Sequence, residues 1–152
     1  MSVAIGDRAP NFELLDQDAN EVSRASLEGR KSLIVFIPFP FSGICEAELC
    51  SIRDNLARLN SLDANVVAVS CDTRFTHKKW AADQGFEFPL LSDFWPHGAT
   101  ARAYGSFNED KGVANRMTYV LDEAGIVREI IDSGSLGVAR EIDAYLEALS
   151  SM

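Results

Sequence analysis

Leu33-Ile34-Val35-Phe36-Ile37-Pro38-Phe39-Pro40-Phe41-Ser42-Gly43-Ile44-Cys45-Glu46-Ala47-Glu48-Leu49-Cys50 is the stretch in which the chain changes period. Leu33 to Ile37 is an unbroken apolar run, the pattern of a strand buried on both faces. Pro38 to Gly43 supplies turn residues. From Ser42 to about Leu59 the apolar positions then recur at helical spacing, and Asn65 to Ser70 (Asn-Val-Val-Ala-Val-Ser) returns to a buried strand. Strand, helix and strand in that order predict a right-handed crossover with the two strands parallel. The fold class is therefore α/β.

Working outward, Phe12 to Leu15 and Glu21 to Ser23 read as a short N-terminal hairpin. Thr76 to Gln84 and Ala99 to Tyr104 read as helices, ended by Gly85 and Gly105. Met117 to Leu121 and Ile126 to Asp132 read as strands joined by the turn Asp122 to Gly125, hence antiparallel. A last amphipathic helix is expected to carry Val138, Ile142, Tyr145, Leu146 and Leu149 on one face. The sum is a mixed central sheet flanked by helices with an N-terminal hairpin extension, of the thioredoxin-like kind. With 152 residues, 47% of them hydrophobic, and no repeat or low-complexity linker, one domain over residues 1–152 is expected.

Fourteen basic against 23 acidic residues give a net charge of -9, which argues against nucleic acid or an anionic membrane as partner. The start, Met1-Ser2-Val3-Ala4-Ile5-Gly6-Asp7, has no basic n-region and no apolar core, and no later run approaches a membrane span. The expected compartment is the cytoplasm. No phosphate-binding glycine loop or dinucleotide fingerprint is present, so no cofactor is expected. His77 and His97 lack companion ligands at suitable spacing, so no metal is expected either. Asp72 to Thr76 reads as helix-cap chemistry.

Three cysteines are few and odd in number for a disulfide framework, so each has to be judged by its place. Cys45 falls where the chain leaves a buried strand and enters a helix N-terminus, whose outward N–H groups favour an anion. At about 100° per residue, Leu49, Ile52, Leu56 and Leu59 lie within roughly 40° of it, so its thiol faces the core. Glu48 falls about 60° to one side, whereas Cys50 falls roughly 140° away. In an intact helix the two cysteine Cα atoms are about 8.6 Å apart, beyond the roughly 4.4–6.8 Å that a disulfide accepts. Any Cys45–Cys50 bridge therefore requires the first turns to unwind. Cys71, at a strand end, reads as a packed core thiol.

Pro38, Ser42 and Cys45 have the spacing of the peroxiredoxin motif (Pro, three residues, Thr or Ser, two residues, Cys), and Glu48 stands where that family often has Glu. The opening Gly6-Asp7-Arg8-Ala9-Pro10-Asn11-Phe12 is similar to the family's Gly-x-x-Ala-Pro-x-Phe start. Around His77 to Trp80, Phe88 to Gly98 and Ala103 to Asn108 the chain resembles the alkyl hydroperoxidase E-like branch, usually described as one-cysteine. The resemblance spans nearly the whole chain. It implies a thiol peroxidase that reduces hydrogen peroxide and organic hydroperoxides through a sulfenic acid on Cys45. Arg116 would then hold a guanidinium beside the sulfur, Ser42 and the backbone N–H groups of Ile44 and Cys45 would bind the peroxide oxygens, and Pro38 would shield the thiolate. Glu48 would support Arg116.

Cys50 matches the placement of the resolving cysteine in the PrxQ branch, a departure from the one-cysteine pattern, so resolution by Cys50 and by an external thiol both stay open. The reductant expected is thioredoxin, a glutaredoxin-like protein or a low-molecular-weight thiol. Trp80, Phe94 and Trp95 could line a substrate channel or a subunit contact, although aromatics at such spacing are more often core, and the family's habit of dimerising makes Trp95 an interface candidate and a homodimer or higher oligomer the expected assembly. Two other functions fit the thiols: a thioredoxin-like disulfide oxidoreductase, which normally wants CxxC, and a non-catalytic redox sensor.

Overall fold

A computed structural model describes residues 3–152. Its main sheet is built from β3 (Lys31–Phe36), β4 (Ala64–Ser70), β5 (Leu90–Ser92), β8 (Met117–Leu121) and β9 (Val127–Asp132), in the order β5-β4-β3-β8-β9. Strands β3 and β4 pair in parallel, Leu33 opposite Val66, as do β4 and β5. The pairs β3 with β8 and β8 with β9 are antiparallel, so the sheet is mixed. Outside it lie the N-terminal hairpin of β1 (Glu13–Leu15) with β2 (Glu21–Ser23), and a two-residue pairing of β6 (Phe107–Asn108) with β7 (Val113–Ala114).

The unbroken apolar run of β3 follows from its central place, because both of its faces are covered. Leu33, Val35 and Ile37 point into a layer with Cys45, Leu49 and Ile52 of α1 (Gly43–Asp54), Leu59 of α2 (Leu56–Ser61), Trp80 of α3 (Arg74–Gln84) and Tyr145 and Leu149 of α5 (Ile142–Ser150). Ile34 and Phe36 point the other way, onto Phe12, Tyr119, and Ala101 and Tyr104 of α4 (Ala99–Tyr104). The strand thus sets Cys45 at the C-terminal edge of the sheet with its helix pressed on one face.

Four expectations are corrected. The helix read from Ser42 to Leu59 is two helices, because Asn55 (φ -111°, ψ 12°) breaks it and its Nδ2 donates to Ser51 O at 2.8 Å, an alternative to the helical ladder. Leu56 is in consequence only partly buried while Leu59 is fully enclosed. Val138 is 51% exposed in the loop before α5 and takes no part in that helix's apolar face. Trp80 is completely buried, whereas Phe94 and Trp95 are 49% and 81% exposed and are not core. Helix α3 begins at Arg74, two residues before the expected start, because Thr73 caps it by accepting from Thr76 N–H at 3.3 Å.

Helix α3 also carries His77, 1% exposed, with Nε2 2.5 Å from Ser70 Oγ. Ser70 Oγ donates to Asp72 at 3.0 Å, so the imidazole donates through Nε2, and Nδ1 has no partner among the described residues. Burial pulls the imidazole pKa down from 6.5 to about 4. Between those values the unfolded chain binds the proton and the folded one does not, so stability is complete above pH 6.5 and falls as the pH drops toward 4. The loss at the acid end is about 3 kcal/mol. Urea midpoints measured across this window should show that slope in the wild type and a flatter one in His77→Gln. Burial raises the carboxyl pKa of Asp72 and Asp93 and so opposes the slope in both proteins equally. Equal slopes in the two proteins would show that His77 remains solvated.

Candidate active site

Strand β3 delivers the chain to a tight turn. Ile37 N–H continues the ladder to Val69 O at 2.9 Å, Pro38 follows buried, and Ser42 N–H closes on Phe39 O at 3.0 Å. Proline at Pro38 removes a donor where no strand partner remains and fixes φ at the exit. Phe41 sits at φ 70°, a left-handed conformation that a bulky side chain rarely adopts and one that turns the chain into the helix.

Ser42 is the N-cap of α1, yet its side chain makes no capping bond. Its Oγ is buried and has no hydrogen-bond partner among the described residues. An uncommitted hydroxyl at a helix N-terminus can hold a ligand oxygen. One turn into the helix, Cys45 is completely buried with its sulfur aimed inward. Phe39 N–H donates to Sγ at 3.4 Å, and Arg116 Nη1 donates to it at 3.0 Å.

Arg116, 2% exposed, reaches this point from the residue before β8. The same Nη1 donates to Glu48 Oε1 at 2.6 Å, and Nε donates to Leu136 O at 2.7 Å. Glu48 in turn receives Arg140, whose backbone N–H donates to Oε2 at 2.7 Å, Nε to Oε2 at 2.9 Å and Nη2 to Oε1 at 2.9 Å. Arg140 Nη1 ends the chain of contacts on Thr118 Oγ1 at 3.1 Å, and Tyr145 OH lies 2.8 Å from that oxygen. Burial disfavours the charged form of Glu48, but the hydrogen bonds and charge of Arg140, with Arg116 behind them, outweigh it and hold the carboxyl below its ordinary range. Burial works against the Arg140 charge likewise, and Glu48 more than restores it.

Two guanidiniums and one carboxylate leave one positive charge over. Glu48 and both arginines are almost fully removed from water, with side chains at most 2% exposed, so that charge is not dispersed by solvent. It faces Cys45 Sγ, 3.0 Å from Arg116 Nη1. The structure thus joins Cys45, Glu48 and Arg116 directly, with Pro38 and Ser42 in the turn that leads into the helix.

Cys50 stands apart from this group. It is half-buried on the side of α1 that meets α3, and its thiol donates to Gln84 Oε1 at 3.6 Å. Its pKa is raised by burial together with the charges of Glu46 and Asp54, against the opposing pull of Arg53. Cys71 is buried too, and burial with Asp93 and Asp72 pushes its pKa up to about 12, which keeps it a protonated thiol. All three cysteines are unbridged.

Arg140 is the residue that sequence reasoning missed. It sits in a loop of no periodic pattern, and its partner Glu48 is 92 positions away, so no local signal marks it.

Comparison with known proteins identifies the family. The AhpC/TSA family pattern matches residues 5–130. Alkyl hydroperoxide reductase E of Mycobacterium tuberculosis is 44% identical over 149 residues, which cover 97% of this chain and 97% of that protein. Alkyl hydroperoxide reductase C of Escherichia coli is 33% identical over 135 residues, 86% of this chain and 71% of that protein. Among solved structures, Enterococcus faecalis AhpC superposes with a TM-score of 0.89 at 27% identity, covering 99% of this chain and 92% of that one. The peroxidoxin BcpB of M. tuberculosis superposes with a TM-score of 0.87 at 27% identity, covering 97% of each chain.

Proposed function

The chain belongs to the AhpC/TSA family of peroxiredoxins and is a thiol-dependent peroxidase, and on that premise we propose that Cys45 is the sulfur that attacks the peroxide. The observation that carries this is the surplus positive charge of the Arg116–Glu48–Arg140 group, brought to 3.0 Å from Cys45 Sγ. The Cys45 thiolate attacks the nearer oxygen of a hydroperoxide in line with the O–O bond. An S–O bond forms, the O–O bond breaks, and the departing alkoxide or hydroxide takes up the proton that the thiol had released. The products are a sulfenic acid on Cys45 and water or an alcohol.

Arg116 and the unpaired Ser42 Oγ hold the two peroxide oxygens, and the N–H groups of Ile44 and Cys45 face the developing charge. Pro38 keeps water from the sulfur, and Glu48 holds the Arg116 guanidinium in place. Hydrogen peroxide and organic hydroperoxides are the substrates proposed, in keeping with the hydroperoxide reductases that the chain resembles. The sulfenic acid returns to the thiol through thioredoxin, a glutaredoxin-like protein or a low-molecular-weight thiol, and Cys50 is the internal alternative. Loss of peroxide consumption on replacing Cys45 by Ser tests the assignment.

The assembly proposed is a homodimer. Phe75 and Trp95, 66% and 81% exposed, join Leu14, Leu15 and Phe94 around a groove of about 410 Å³, a cluster of apolar side chains that a second copy would cover. Phe75→Glu with Trp95→Ser should shift the sedimentation coefficient from dimer to monomer, and an unchanged value would place the interface elsewhere. No helix among the described residues is long and apolar enough to cross a membrane, and with three unbridged cysteines we place the protein in the cytoplasm.

A further inference from the structure

Helices α1 and α3 are joined by three polar contacts that lie outside the peroxide site. Trp80 Nε1 donates to Glu46 Oε1 at 3.0 Å, Cys50 Sγ donates to Gln84 Oε1 at 3.6 Å, and Arg53 Nη1 donates to Gln84 O at 2.6 Å. Glu46, Cys50 and Arg53 span the part of α1 that starts beside the reactive sulfur, so α3 holds this helix along two of its turns. Trp80 is itself immobile: it is completely buried, with Phe86 against it at 5.1 Å and Phe41, from the turn before Cys45, at 5.8 Å between ring centroids.

These contacts bear on how the catalytic cycle closes. Cys45 points into the core layer, and Cys50 points to α3. An internal disulfide requires the turns between them to unwind, because an intact helix keeps their Cα atoms about 8.6 Å apart against a disulfide limit of roughly 6.8 Å. Unwinding moves Glu46 off Trp80 and takes the Cys50 thiol off Gln84. The hydrogen bond from Cys50 also commits its proton to Gln84, and burial with the neighbouring acids disfavours the thiolate that would have to attack.

We propose that α3 clamps the first turns of α1 through Trp80 and Gln84, and that this clamp directs the Cys45 sulfenic acid to an external thiol instead of to Cys50. The proposal rests on Cys45 as the peroxidatic sulfur. In the favoured route an external thiol RSH attacks the sulfenic sulfur, releasing water and leaving a mixed disulfide. A second RSH then releases RSSR and the free Cys45 thiol. In the disfavoured route the Cys50 thiolate makes the same attack, water leaves, and the Cys45–Cys50 disulfide forms. Trp80 and Gln84 are positioning residues, since neither touches Cys45 Sγ and Gln84 only holds the Cys50 thiol aside.

The experiment treats full-length protein with one equivalent of hydrogen peroxide in the absence of external thiol. Intact mass then follows the loss of two hydrogens that marks the disulfide, and a 1,3-dione traps the sulfenic acid. The wild type should accumulate the trapped adduct. Trp80→Phe and Glu46→Ala should form the disulfide about tenfold faster, the worth of one hydrogen bond to a charged acceptor. Glu46→Gln keeps an acceptor for Trp80 Nε1 and should return the rate to that of the wild type. Adding Cys50→Ser to Trp80→Phe should abolish the product. Equal disulfide rates in wild type, Trp80→Phe and Glu46→Ala, whether fast or absent, overturn the clamp. First-turnover peroxide decay reports Cys45 separately: a wild type that consumes no peroxide overturns both readings, whereas normal decay with equal disulfide rates overturns this one alone.

Discussion

Replacing Cys45 by Ser should abolish peroxide consumption. A serine hydroxyl at this position keeps the shape of the site and its contacts with Phe39 N–H and Arg116, but it does not ionise near neutral pH and cannot form a sulfenic acid. The expected loss is on the order of 10⁴-fold or more in the rate of peroxide decay, the scale seen when the nucleophile of a covalent mechanism is removed. Cys50→Ser and Cys71→Ser should keep the first turnover, because Cys50 lies on the α3 side of the helix and Cys71 is held as a thiol with a pKa of about 12. Stopped-flow decay of one equivalent of peroxide measures all three. Retained decay in Cys45→Ser, or its loss in Cys71→Ser, would assign the chemistry to another sulfur.

Glu48→Ala has the largest effect expected on the folded state. Glu48 accepts four hydrogen bonds from two buried arginines, and removing it leaves two guanidiniums without their carboxylate where both side chains are at most 2% exposed. Breaking such a buried group from one side costs about 3–5 kcal/mol. A urea midpoint within experimental error of the wild type would show that the arginines find other partners or water. Activity should fall too, by about 100-fold, because Arg116 loses the carboxylate that aims it and small displacements of a catalytic group cost that much. Glu48→Gln separates charge from shape: it keeps the size and two of the acceptor positions while removing the ion pair.

The same carboxylate sets an acid limit. Its folded pKa lies below the ordinary carboxyl value of 4.5, so its contribution to stability is present above that value and is lost as the pH falls through the lowered one. This limb should be absent in Glu48→Gln and lies below the His77 slope, which begins near pH 6.5.

Much of this architecture was readable because the signals were local. The run Leu33 to Ile37 between turn residues marked a central strand, since only a strand covered on both faces tolerates five consecutive apolar side chains. Gly85 and Gly105 marked the ends of α3 and α4, where φ values of 72° and 81° suit glycine. The three-residue strand β5 went unread because it is too short for a period, and it exists only because Ala68 to Ser70 of β4 present an edge for it to pair with. The break at Asn55 was hidden for another reason: Leu56 and Leu59 keep the helical spacing across it, while the side chain of Asn55 competes for Ser51 O.

At the site, the motif spacing of Pro38, Ser42 and Cys45 and the strand-start position of Arg116 belong to single elements or to a family pattern, so the sequence alone named them. It also determined the inward direction of Cys45 and the divergence of Cys50, because helix geometry fixes both within one element. What only the tertiary structure decided is how the charges meet. Arg140 is 92 residues from Glu48, Arg116 is 68, and Trp80 is 34 residues from Glu46. Hydrogen bonds and ion pairs of this kind act over a few ångströms and carry no periodicity along the chain. Their partners are therefore set by how the sheet and helices pack, and the surplus charge beside Cys45 appears only once that packing exists.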